Sequence, residues 1–182
     1  MKTHLILLTC AWCAAASAYA QSAPSIPIEA EPLTHLRDGR IQGCGVRLTG
    51  GEPGSGVSAW FDVSFNLFTR GFGVAQSIAY EIRPSDTGRS VPVLVPVQST
   101  WLRASEGSTR RGENTERRDR LVFTLLAEDV LLLFEALAND QLLSVGVRRW
   151  GDRVDSVYTA LPVLAGDSRS RISACLAGLD LE

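Results

Sequence analysis

Val57, Ala59, Phe61, Val63, Phe65 and Leu67 alternate with Ser58, Trp60, Asp62, Ser64 and Asn66. A period of two puts every apolar member on one side of an extended chain, so this stretch reads as a strand with one buried face. Beyond Thr69, Arg70 and Gly71 the period continues through Phe72, Val74, Ile78, Tyr80 and Ile82, with Gln76 as the exception. Two such runs across a tight connection predict an antiparallel hairpin.

The flanking segments extend the pattern. Ile41 to Leu48 reads as a short strand, and TGGEPGSG, residues 49–56, as loop. After the turn cluster PSDTGRS, residues 84–90, comes VPVLVPV, where Pro92 and Pro96 have no N–H to give to a ladder; this predicts an edge strand. ASEGSTRRGENTERRD, residues 104–119, is a polar excursion of the kind no core would hold. Leu121 to Leu126 returns as a strand. AEDVLLLFEALAND, residues 127–140, has helical composition, with Glu128 and Asp129 at the end where the helix dipole favours negative charge. Val130 to Phe134 and Leu137 cover almost all its faces, which predicts burial against the sheet. Leu142 to Arg149 and Val154 to Leu161 read as a second hairpin around Gly151 and Asp152, and Asp167 or Ser168 starts a short helix running to Gly178. Short strands, hairpin connections and two helices give an α+β fold: mainly antiparallel β, sandwich-like or an open sheet, with one buried helix and a short C-terminal one.

The N-terminus follows another logic. MKTHLILLTCAWCAAASAYA has a basic head, an apolar run from Leu5 and an Ala-x-Ala ending, so residues 1–20 read as a signal peptide cut after Ala20. The Cys10-x-x-Cys13 spacing of a redox dithiol falls inside that apolar run, without the strand and helix N-terminus that stabilise a reactive thiolate. Thr9 and Trp12 are poor predecessors for a lipidated cysteine. Residues 21–36, rich in proline at the start, read as an extended leader, and residues 37–182 as a single antiparallel-sheet domain. No stretch after the signal is a transmembrane span, because Glu128 and Asp129 interrupt the apolar segment from Leu121 to Leu137. The expected location is the periplasm or the exterior of a bacterium, where Cys44 and Cys175, the two cysteines left, form a disulfide between the first strand and the last helix.

Composition then removes whole classes of chemistry. Lys2 is the chain's only lysine, which closes Schiff-base chemistry, Ser-Lys dyads and phosphate-loop lysines to the processed protein. His35 is its only histidine, too few for a triad or a multi-histidine metal site. Seventeen arginines against twenty acids give a net charge of about −3, which disfavours nucleic acid as a partner. Gly50 to Gly56 lacks the Lys and the following helix of a phosphate loop, and Ser55 and Ser58 lack the framing of a nucleophile elbow. No cofactor or metal is expected.

Two functions survive. The first is a non-enzymatic accessory module of the cell envelope that binds a ligand or another envelope or secreted protein, through a sheet face or the arginine-rich excursion. Its candidate contact residues are Trp60 and Trp101, with Trp150 similar, and Arg110, Arg111, Arg117 and Arg118. The alternative is a small carboxylate-dependent hydrolase of envelope carbohydrate, in which Asp62, Glu81, Glu106 and Asp155 supply acid and base. Converging acids with a raised pKa would mark the hydrolase, whereas an exposed Trp60 patch or a flat apolar face would mark the binding module.

Overall fold

The computed structural model describes residues 27–52, 58–105 and 110–181. The signal peptide with its Cys10 and Cys13, the leader up to residue 26, Ser55 and Glu106 lie outside them. The described chain is mostly β, with two helices and mostly antiparallel pairing.

Eleven strands and two helices follow one another as β1 (Glu29–Arg37), β2 (Arg40–Glu52), β3 (Ser58–Phe68), β4 (Phe72–Pro84), β5 (Ser90–Val95), β6 (Val97–Ala104), β7 (Arg110–Glu113), β8 (Arg120–Leu126), α1 (Ala127–Ala138), β9 (Leu143–Arg149), β10 (Ser156–Ala160), β11 (Val163–Leu164) and α2 (Ser168–Ala177). A seven-stranded sheet runs β11-β1-β2-β3-β4-β5, with β8 also on β4, and a four-stranded sheet runs β10-β9-β6-β7. The side of β4 away from β3 is divided lengthwise: β8 pairs with Phe72 to Ile78 and β5 with Ala79 to Pro84. Pro96 separates β5 from β6 and so marks the point where the chain changes sheets.

The β3–β4 hairpin is as the alternation predicts, and Arg70 and Gly71 take positive φ at its turn. β5 ends its sheet, as Pro92 within it requires. The β9–β10 hairpin turns through Gly151 at φ 100°. Other expectations need correction. Pro32 does not keep its segment from pairing: β1 runs antiparallel to β2 from Glu29, with Pro32 opposite Val46. β2 does not stop at Leu48 but continues to Glu52, because Gly50 and Gly51 leave room for the rings of Phe61 and Trp60 on β3. The polar excursion is not all loop, since Arg110 to Glu113 pair with Ser99 to Leu102 and the Asn114 amide donates to the carbonyl of Val97.

Buried residues from both sheets form one contiguous cluster, with Phe61, Val63 and Phe65 from one and Val97, Val145 and Val147 from the other. α1 touches strands of both sheets. It buries Val130, Leu133, Phe134, Ala136 and Leu137 but leaves Leu131 43% exposed, so it packs through one face and not on all sides. Cys44 and Cys175 are bonded, with Cα atoms 5.8 Å apart, and join α2 to β2, the second strand and not the first.

The candidate interaction face and an arginine–aspartate cluster

The inward and outward sides of β4 are reversed relative to residue size. Gly73, Ala75, Ser77 and Ala79 point into the core. The apolar members of the sequence period, Phe72, Val74, Ile78, Tyr80 and Ile82, point out. Small inward residues are needed because other elements come close from the inside: a Cβ on Gly73 would meet Val130 of α1 at 2.6 Å, and Ser77 accepts a hydrogen bond from Thr100 of β6 at 2.7 Å. The period of two in the sequence is real, but its large side chains line the outer face.

Neighbouring strands extend this face. Phe72 is 47% exposed, Leu126 opposite it on β8 47%, Val122 further along β8 57%, and Leu94 opposite Tyr80 on β5 55%. Phe68 stacks on Phe72 with ring centroids 5.2 Å apart, and Trp60 stacks on Tyr80 at 6.5 Å. On β2 the outward positions beside Phe68, Asn66 and Trp60 are Gly43, Gly45 and Gly51, and each of those side chains lies over the bare backbone of its glycine. The result is a surface on which these rings and aliphatic chains lie beside polar side chains, the Arg47–Asp62 ion pair among them. Trp60, a candidate from the sequence, is half-buried in it, and its indole N–H is buried without a partner. Burial first, and the nearby Asp62 carboxylate second, push the Tyr80 phenol above its ordinary pKa.

Trp101, Arg111 and Asp155 meet on the outer face of the four-stranded sheet. The Trp101 ring lies over Gly146 and is only 9% exposed. Its Nε1 donates to Asp155 Oδ2 at 2.8 Å. Arg111 donates to both carboxylate oxygens, at 3.1 and 2.5 Å, and Arg148 Nε donates to Oδ1 at 2.8 Å. Arg103 sits 5.7 Å above the indole centroid. Burial pushes the Asp155 carboxyl up, yet the hydrogen bonds from Arg111, Trp101 and Arg148 outweigh it and hold the group at about 2.

The other sequence candidates do not join either place. Arg110 is exposed on β7, Arg117 is exposed after it, Arg118 is tied to Glu116 at 2.6 Å, and Trp150 is 38% exposed at the end of β9. The arginine-rich segment therefore divides between the cluster on the outer face of the four-stranded sheet, which takes Arg111, and separate solvent-facing side chains. Nor do the described acids of the hydrolase reading converge. Asp62 lies on the outer face of β3, bound by Arg47, and Glu81 points to the other side of the same sheet, bound by Arg83 and by Arg149 at 3.1 Å. Asp155 belongs to the other sheet and is ionised well below neutral pH. An open groove of about 570 Å³ runs along β1 to the start of α2, but Arg47 on its wall is already engaged by Asp62. Among the described residues no group of three or more His, Cys, Asp and Glu is gathered as for a metal.

The chain matches no family model, no curated protein and no solved structure.

The sequence signal for the outer face was present but pointed the wrong way, because alternation shows that two faces differ and not which one is inside. A stronger cue was Gly73, Ala75, Ser77 and Ala79, too small to fill a core unless another element approached closely.

Proposed function

We propose that this chain is an exported, non-enzymatic accessory protein of a bacterial envelope, acting in the periplasm or outside the cell, and that it binds another envelope or secreted protein through the outer face of the seven-stranded sheet. The reversed β4 is the observation that carries this reading. A strand that turns glycine, alanine and serine inward and phenylalanine, isoleucine and tyrosine outward uses its large apolar side chains where a partner can cover them. Rigid aromatic rings supply contact area at low entropic cost, and the glycine row of β2 holds Trp60 and Phe68 flat.

The Cys44–Cys175 disulfide supports export, since such bonds persist in oxidising compartments. No helix among the described residues is long and apolar enough to cross a membrane. In this reading the two sheets form a sandwich-like pair closed over one face of α1, and the outer aromatic face is left for the partner. The carboxylate hydrolase has no observation in its favour, because Asp62, Glu81 and Asp155 are separated and each is held by arginine.

The test is retention of a partner from envelope extract of the native host. The wild-type chain and Leu131→Asp, altered on the exposed side of α1, should retain the same protein. The double variant Leu94→Asp, Val122→Asp should lose it while keeping its circular dichroism. Equal retention by all three would remove the face from the account.

A further inference from the structure

α2 is a helix that its own sequence supports poorly. Its 10 residues are fewer than the roughly 12–15 that an isolated helix needs. Ser168, Ser170 and Ser173 are among them, Asp167 makes no side-chain cap, and Arg169 and Arg171 stand near the end of the dipole that favours acids.

Packing adds little. Within α2 only Ser168, Ile172 and Cys175 are buried, and Leu179 is buried just beyond it. An open cavity of about 210 Å³, lined by Phe134, Leu137, Leu164 and Ile172, is left between α2 and α1. The Arg169–Asp140 ion pair joins side chains that are 49% and 63% exposed, so water screens it. The chain enters the helix through exposed Gly166 at φ 49°, and β11 holds the segment ahead of it to β1 by two residue pairs.

The remaining tie is covalent. The Cys44–Cys175 bond fixes the last turn and a half of α2 to β2, and while it is intact the helix cannot leave the sheet even when its other contacts break. Without the bond, Ile172, Leu176 and Leu179 alone have to offset the entropy of ordering residues 168–181. The sheets have no such dependence, because Phe61, Val63, Phe65 and Phe134 pack with Val97, Val145 and Val147 in the common core.

We propose that α2 is a redox-dependent strap, docked while Cys44 and Cys175 are bonded and released on reduction with both sheets and α1 still folded. Two electrons and two protons from a dithiol turn the bond into two thiols and leave the dithiol as a disulfide; a disulfide oxidant reverses the step. Both sulfurs belong to buried residues, so the small opening motions of α2 set how fast a reductant reaches them. Release uncovers Cys44, together with Ile41, whose side chain lies against Gly178, and opens the cavity over Phe134 and Leu137.

Hydrogen exchange read by mass spectrometry on the full chain, disulfide-bonded and then reduced with dithiothreitol, tests this. Amides of residues 168–179 should exchange at least about tenfold faster after reduction, while those of β3 and β4 stay within about twofold. Cys44→Ala should reproduce the reduced pattern with no reductant present. Unchanged protection of α2 in both the reduced chain and Cys44→Ala overturns the proposal. So does loss of protection from β3 and β4 together with α2, which would make the bond a condition of the whole fold.

Discussion

Thr100 on β6 donates its hydroxyl to Ser77 on β4 at 2.7 Å, and both residues are fully buried. This is a hydrogen bond between the two sheets, made at the point where small residues on β4 let β6 come near. Thr100→Val leaves the Ser77 hydroxyl buried without its partner and should cost about 1–3 kcal/mol, whereas Thr100→Val with Ser77→Ala should recover most of the loss. Urea denaturation of both variants measures the difference.

Asp155 gives a signed pH dependence. Its folded pKa, about 2, lies below the ordinary 3.8, so its stabilisation is complete above the ordinary value and is lost as pH falls toward 2. A depression of that size is worth about 2 kcal/mol. Asp155→Asn should therefore be less stable than wild type by about that amount at neutral pH, with the gap closing as pH falls from about 4 to about 2. A gap independent of pH would assign the loss to packing instead of charge.

Gly146 is the floor on which Trp101 lies. A Cβ there would overlap the indole, so Gly146→Ala should destabilise by about 1–3 kcal/mol and move Trp101 off Asp155. Thermal unfolding with tryptophan fluorescence reads both effects.

The Cys44–Cys175 bond closes a sequence separation of 131 residues. In the chain-entropy treatment a loop of that length contributes about 5 kcal/mol, so the double variant Cys44→Ala, Cys175→Ala should show a lowered urea midpoint that added reductant no longer changes. The wild type in reductant should approach the same midpoint.

Some of this was legible in the sequence for identifiable reasons. The β3–β4 hairpin has alternation on both arms and a turn with glycine, α1 has two acids ahead of an apolar run, and β5 has a proline where only an edge tolerates it. β1 and β7 were hidden because their pairing comes from backbone contacts to β2 and β6 that override the local proline and charge. Which face of β4 is buried depends on α1 and β6, distant in sequence, so alternation could not decide it. Trp101, Arg111 and Asp155 each drew notice singly, but only the order of β9, β6 and β7 in the sheet brings them together.

The central claim, that the outer face of β4, β5 and β8 is covered by a partner, is tested most directly by site-specific photo-cross-linking in the native host. A benzoylphenylalanine replaces Val122 on that face in one strain and Leu131 on the exposed side of α1 in another. The account predicts a discrete cross-linked adduct from position 122 and none from position 131. No adduct at 122, or the same adducts from both positions, would contradict it.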